Sequence, residues 1–425
     1  MTMNNATLLR RCSMAIGLTL AIWTETSLAQ QTERVPALRE RVYSQLARAQ
    51  ETADSGKPNE GLAILAEVES KADSMNSYER AMLWNFYGFM YYEQDQVDKA
   101  IGYFDKVINE QPIPASLKMS TLFSLAQLTL AQGEFKQTLD YLARWKQLAD
   151  PSQYSKAYIL QAQALYQSER YQEALPLVQK AIDDALTNGK TPDENWLILA
   201  RALHYELKQP EQIVDVLKQL IRWYNKPDYW VQLAGMYGQL EQDEKQLAVL
   251  EAAYQQGYLT TGEQLRNLVQ VYYFNELPYK AGQVLTEAMQ QGKVDTDLKT
   301  LKQLAQNWIL AKEYEKAVET LKQANAVAED GEVAAQLAQV LLNQDHNTDA
   351  LEAAEQALAK GGLANPGMMY LAKGMALLNL ERYQESIAAF SKAQQFQQTQ
   401  ANAQQWLQYA KSQHHQQQAL AAGSS

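Results

Sequence analysis

The stretch WNFYGFMYYEQDQVDKAIGYFDKVINEQP, residues 84–112, decides the architecture. Trp84, Tyr87, Gly88 and Tyr91 recur at the three- and four-residue steps of one helix face. Ala100 and Phe104 do so again after a polar break, and Pro112 closes the segment. Two antiparallel helices joined by a short turn meet this pattern. The small residues Gly88 and Ala100 stand where the two backbones must cross closely, and Phe104 fills the gap beside them. Weaker copies of the same spacing recur in steps of roughly 34 to 39 residues, and self-similarity at such a period signals a helical solenoid.

The twelve-residue gap of Gly88/Ala100 returns as Ala126/Thr138, Ala162/Ala174, Ala200/Gln212, Ala234/Gln246, Val269/Ala281, Ala305/Ala317, Ala338/Ala350 and Gly374/Ser386. Four residues beyond each second member stand Phe104, Leu142, Val178, Val216, Leu250, Leu285, Leu321, Ala354 and Phe390 in turn. An earlier, degenerate unit uses Ala49/Gly61 with Leu65. This pattern resembles the tetratricopeptide repeat (TPR). The resemblance implies an all-α fold, a right-handed TPR superhelix (an α-α solenoid) of about ten helical hairpins with a C-terminal capping helix, each hairpin burying its apolar face only against its neighbours. Generic helical hairpins in a right-handed stack would share that shape, and Gln212 and Gln246 occupy positions that usually hold alanine.

Residues 1–29 read as a secretory signal peptide. Arg10 and Arg11 precede the apolar run from Ser13 to Trp23, and Ser27-Leu28-Ala29 is a small-x-small site, which predicts cleavage after Ala29 and export to the periplasm. Retention as an uncleaved anchor is the alternative. The single cysteine, Cys12, lies within that segment and ahead of its apolar run, so it does not sit where a lipoprotein signal places its lipidated residue. The rest of the chain therefore has no thiol for a disulfide, for catalysis or for a metal. After cleavage no remaining stretch approaches the length of a membrane span, so no integral membrane segment is expected. The expected order is a lead-in and helix start over 30–41, repeats over 42–400, a capping helix over 401–413 with Trp406, Leu407 and Ala410 inward, and a disordered tail over 414–425.

Forty-nine Asp and Glu outweigh 38 Lys and Arg, for a formal net charge of −11, and the lysines are dispersed. Nonspecific nucleic-acid binding relies on clustered cations and is not expected. Of the four histidines none forms an H-E-x-x-H pair, and no Gly-x-Ser-x-Gly elbow occurs. Gly189-Lys190-Thr191 imitates the end of a phosphate-binding loop, but Asp184 stands where the leading glycine belongs and no strand precedes it. No catalytic residue, metal or cofactor is expected, and the chain reads as a non-enzyme.

What remains is the inner surface. In TPR arrays the first helix of each unit lines the concave groove, which predicts Tyr92, Tyr166, Arg201, Tyr205, Arg266, Tyr273 and Lys302 as protein-binding residues. Tyrosine and arginine are frequent interface anchors, and the middle of the array offers a cationic and aromatic strip suited to an extended segment bearing carboxylates. The other reading is that half of these side chains pack against the neighbouring hairpin.

A more specific likeness lies in the run from Trp223 to Trp230 (WYNKPDYW), in Leu233-Ala234-Gly235-Met236-Tyr237, and in Tyr258-Leu259, Asn267-Leu268 and Leu277-Pro278-Tyr279-Lys280-Ala281. It resembles the periplasmic TPR protein of marine gammaproteobacteria that accompanies TonB, ExbB and ExbD. That resemblance implies an accessory to TonB-dependent transport, a scaffold that binds part of TonB or of ExbB/ExbD and supplies no chemistry itself. The competing reading is a TPR scaffold for envelope assembly, such as outer-membrane protein maturation, cell-wall synthesis or polysaccharide export.

Overall fold

The computed structural model describes residues 34–423, and every regular element among them is helical. The segment read as a signal peptide lies outside the described residues. The chain divides into two compact units between Glu169 and Arg170. The first holds the hairpins α1 (Glu40–Asp54)/α2 (Pro58–Glu69), α3 (Ser77–Glu93)/α4 (Val97–Asn109) and α5 (Ala115–Ala131)/α6 (Phe135–Lys146), followed by α7 (Tyr154–Gln167). The second opens with α8 (Tyr171–Thr187). Its hairpins are α9 (Glu194–Glu206)/α10 (Pro210–Tyr224), α11 (Pro227–Gln239)/α12 (Asp243–Gln255), α13 (Gly262–Phe274)/α14 (Pro278–Gln290), α15 (Leu298–Leu310)/α16 (Tyr314–Val327), α17 (Glu332–Asn343)/α18 (Asn347–Lys360) and α19 (Pro366–Asn379)/α20 (Tyr383–Ala393), before α21 (Gln400–Gly423).

The crossings follow a rule of size. A Cβ on Gly88 would stand 2.6 Å from the ring of Phe104, and one on Gly374 would stand 2.5 Å from Phe390. Real Cβ atoms do not approach so closely, so phenylalanine in the second helix requires glycine in the first. Where the second helix offers leucine, as at Leu142, Leu250 and Leu321, the first helix carries Ala126, Ala234 or Ala305, all buried. Several turns inside hairpins carry no glycine. Asp95, Glu241, Glu276, Lys312, Asp345 and Glu381 hold left-handed backbone at φ between 55° and 59°. In each the next amide reaches back five residues, as Leu277 N–H donates to the Tyr272 carbonyl at 2.9 Å, closing the first helix with a Schellman bond.

One unit departs from the sequence register. In α10 Ile213 and Leu217 are buried, together with Val214, Val216 and Leu220, while Gln212 is exposed, and the left-handed turn residue is Lys208. The crossing positions of this hairpin are thus Arg201 and Ile213 rather than Ala200 and Gln212, one residue later, and Leu217 replaces Val216 as the large member. The physical reason is that burying Gln212 would strand its amide, whereas the one-residue shift buries isoleucine and leucine. Gln246 keeps its expected register, because its amide lies over Gly238, where a Cβ would come within 2.6 Å of it.

The start of the first unit is fixed by a buried carboxylate. Glu79 is fully buried and accepts from Arg39 Nε and Nη2 at 2.6 Å each, from Arg39 N at 3.1 Å and from Asn76 N at 3.1 Å. The Asn76 side chain accepts in return from Glu79 N at 3.0 Å, completing a capping box on α3. At the other end, α21 buries Ala403, Leu407 and Ala410 against α20, and Trp406 stacks on Phe390 with ring centroids 6.3 Å apart. The helix does not stop near residue 413. Residues 414–423, expected as a disordered tail, continue it. Their glutamines and alanines are good helix formers, and a helix already anchored by packing needs no new nucleus to extend.

Asn307 in α15 is 1 % exposed, and neither its Oδ1 nor its Nδ2 has a hydrogen-bond partner among the described residues. A buried amide without partners costs free energy that an apolar side chain of the same size does not. Asn307→Leu is therefore expected to stabilise the second unit by about 1–2 kcal/mol. Hydrogen exchange of the α15 and α16 amides checks this, and faster exchange in the variant would refute it.

Candidate protein-interaction face

In the first unit, Tyr92 lies near the end of α3 and Tyr166 near the end of α7. Both are half-buried, and both interact with other residues of the fold. In the second unit, Tyr205, Arg266, Tyr273 and Lys302 all lie on first helices. With the shifted register of α9, Tyr205 stands at the same position of its helix as Tyr273, Tyr92 and Tyr166 do of theirs. The unshifted register had placed His204 there. That ring is instead buried, with Nδ1 2.7 Å from Gln209 Oε1.

Arg201 is the residue the structure places differently. It stands at the crossing of α9 and α10, half-buried, and its Nη1 donates to Gln232 Oε1 on α11. Burial lowers its pKa, the reverse of what a carboxylate partner produces. Arg266 also reaches the next first helix, donating from Nη2 to Thr300 Oγ1 at 2.9 Å. Thr300 is held in place because its amide caps onto Asp297 Oδ1 at 2.7 Å. In front of Arg266 lies a hollow of about 680 Å³, whose rim includes Glu263, Gln270, Lys293 and Asp295. Lys302, one hairpin on, is exposed.

The aromatic component is larger than the sequence suggested. Tyr205 is 70 % exposed, Tyr273 43 % and Phe274 71 %, with the Tyr273 and Phe274 rings edge-on at 5.9 Å. Phe274 was not among the expected site residues. Its signal was an apolar residue at the end of a first helix, past the last position that packing requires.

The cations of this face and several of the acids of this unit are treated differently by the fold. Glu194 takes Lys226 Nζ at 2.6 Å and the hydroxyl of Tyr229, and although burial opposes ionisation, these hydrogen bonds hold its pKa below the usual glutamate range. Lys280 pairs with Glu251. Tyr254 donates to Glu287, and burial first, then that bond, pushes the phenol up to about 12. Arg201 and Arg266 hydrogen-bond to neutral acceptors, Gln232 and Thr300, although Asp297, whose pKa is lowered first by its hydrogen bonds to Thr300, also feels the charge of Arg266. No group of three or more His, Cys, Asp or Glu among the described residues could hold a metal, and no described helix is long and apolar enough to cross a membrane.

Comparison with known families agrees with this geometry. Residues 335–403 match the tetratricopeptide repeat family, and residues 93–181 match the family described as anaphase-promoting complex, cyclosome, subunit 3. The chain carries tetratricopeptide repeats, a protein-interaction scaffold. No curated protein matches it. Among solved structures it is similar to MamA, from residue 41 to its end, of Desulfovibrio magneticus RS-1, with 16% identity over 44% of this chain and 96% of that one and a TM-score of 0.36. It is also similar to the TPR domain of P58(IPK), with 14% identity over 89% and 99% and a TM-score of 0.25.

Proposed function

We propose that this chain is a non-enzymatic periplasmic scaffold, an accessory of TonB-dependent energy transduction that holds an extended part of TonB or of ExbB/ExbD. The observation that carries the binding mode is the first-helix face of the second unit, where α13 carries Arg266 near its start and the exposed Tyr273 and Phe274 at its end, with Lys302 exposed on α15. Exposed aromatics and arginine on one face are the residue types enriched at interface centres. The periplasmic location is supported by the signal-like residues 1–29 and by the absence of cysteine after Cys12. The TonB assignment is supported by the likeness of the segment from Trp223 to Ala281.

Crosslinking in intact cells followed by affinity capture of the chain tests this reading. TonB, ExbB or ExbD is the expected partner. Recovery of an outer-membrane assembly factor or a cell-wall synthase instead would favour the envelope-assembly reading. The double charge reversal Arg266→Glu/Lys302→Glu is expected to reduce capture about tenfold while the helical circular dichroism stays unchanged. Unchanged capture would remove this face from the mechanism. Arg201 is left out of the set, because a carboxylate at that half-buried crossing would itself destabilise the hairpin.

A further inference from the structure

We infer that the first-helix face of the second unit holds an extended segment of a partner polypeptide by its main chain, through two rows of side-chain carboxamides. This rests on the scaffold reading above and names the chemistry by which the partner is held. Two residues before and one residue after the crossing residues Val269, Ala305 and Ala338 stand Asn267/Gln270, Gln303/Gln306 and Gln336/Gln339. The members of each pair are three residues apart, so each pair lies on one face of its helix, on α13, α15 and α17 in turn. Asn267, Gln270, Gln306 and Gln339 are exposed, and Gln303 and Gln336 are half-buried. The rows of α15 and α17 meet, since Gln336 Nε2 reaches Gln306 Oε1 at 3.5 Å, and the Arg266–Thr300 bond ties α13 to α15.

The distribution of charge sets these helices apart. Acids on α13 and α17 are confined to the first turn, at Glu263 and Glu332, and α15 has none. The second helices α14, α16 and α18 carry Glu287, Glu319, Glu352 and Glu355 further along, all exposed. Contact with water is thus met by charge on the second helices and by neutral amides on the first. A carboxylate can only accept hydrogen bonds and a lysine can only donate them, whereas a carboxamide does both without net charge. That is the complement of a peptide group, whose N–H and C=O each need a partner once water is displaced.

The amides are also available. The side chains of Asn267, Gln270 and Gln303 make no hydrogen bond among the described residues. The contact of Gln336 with Gln306 is at the limit of hydrogen-bond length and is easily exchanged for a ligand. At the far ends of α13 and α15 the exposed Tyr273, Phe274 and Leu310 offer apolar contact to the side chains of the segment without selecting their charge. Arg266 and Lys302 each precede a row member by one residue, so charge attraction and main-chain capture are separable by substitution.

Fluorescent dodecapeptides with blocked ends, titrated into the full chain, decide the matter: four Ser-Leu-Gly repeats, and the same sequence N-methylated at every leucine. The first is expected to bind at least about tenfold tighter than the second, which has lost main-chain donors and kept its side chains. Its affinity should change less than about twofold between about 0.05 and 0.5 M salt, because no charge takes part. Gln270→Ala/Gln306→Ala, at exposed positions where alanine favours the helix, should weaken binding by about tenfold or more with unchanged melting. The control pair Gln283→Ala/Gln323→Ala, on the second helices α14 and α16, should leave it unchanged. Absence of Ser-Leu-Gly binding, equal binding of the N-methylated peptide, or an equal effect of the two alanine pairs overturns the inference. Self-association of the chain that Gln270→Ala/Gln306→Ala abolishes would make the occupant a second copy and overturn it too. If the peptide fails while crosslinked partner capture persists and depends on Arg266 and Lys302, recognition runs through charge and the scaffold reading stands. If capture is also indifferent to those charge reversals, both are wrong.

Discussion

Replacing Glu79 by glutamine is expected to free the first hairpin from the rest of its unit, at a cost of about 3 kcal/mol. The carboxylate is fully buried and receives four donors, two of them backbone amides. A glutamine has one acceptor oxygen and would turn an NH2 toward the Arg39 guanidinium. With one acceptor oxygen where four donors converge, either the Arg39 side or the Asn76 amide loses its partner, while the Asn76 side chain still caps the backbone amide of residue 79. The damage should be local, because a hairpin at the end of a repeat array is held by one neighbour only. Faster hydrogen exchange confined to α1, α2 and the first turn of α3 is the expected signature. Exchange unchanged there would show that the ion pair contributes nothing.

The same site fixes a pH dependence. The Arg39 side-chain hydrogen bonds lower the pKa of Glu79 against the opposing effect of burial, with the amides of Asn76 and Arg39 assisting. A carboxylate with a lowered folded pKa contributes stability that is present above the unfolded glutamate value, about 4.3, and is lost as pH falls through the folded value. The difference in α1 protection between the native chain and Glu79→Gln should therefore be constant from pH 6 to 8 and shrink below about pH 4. A difference that grew on acidification would contradict the assignment.

Phe390→Ala is expected to destabilise the last hairpin by about 3–5 kcal/mol, as large cavities in close-packed interiors do. Phe390 fills the crossing of α19 and α20 and also supports Trp406 of α21, so α21 should lose protection with it. The partner substitution is more diagnostic. Gly374→Ala gains helix propensity of about 1 kcal/mol but overpacks the ring by about 1–3 kcal/mol, so a modest net loss is expected. Gly374→Ala combined with Phe390→Leu recreates the alanine–leucine pairing of the other crossings and should be more stable than the two single effects sum to. Strict additivity in that cycle would mean that the size rule is coincidental.

The repeat period and the helical hairpins were legible because most crossing residues are small and their neighbours large, with Arg201/Ile213 and Gln246 as exceptions. The turns inside hairpins were not legible as turns. Residues such as Glu276 and Lys312 adopt left-handed backbone because the two helices hold them there, a tertiary demand with no glycine to announce it. The slip of one residue at α9/α10 has a related cause. Ala200 offers a small residue one place early, and only the burial of Ile213 and Leu217 distinguishes the registers. That slip is also why Arg201 read as a groove residue and is found half-buried at a crossing. Arg266, Tyr273 and Lys302 fall on first helices at positions the spacing gives, whereas Tyr205 takes the position of Tyr273 only through the one-residue shift of α9. The bond from Arg266 to Thr300 was not legible, since it depends on how one hairpin docks on the next.

The central claim is that the first-helix face around Tyr273 receives a polypeptide. A photo-crosslinking residue placed at position 273 in cells, compared with one at Lys322 on the second helix α16, tests it most directly. Adducts are expected from position 273 alone and should fade when Lys302→Glu is added. Adducts formed from position 322 but not from 273, or adducts at 273 indifferent to Lys302→Glu, would contradict it.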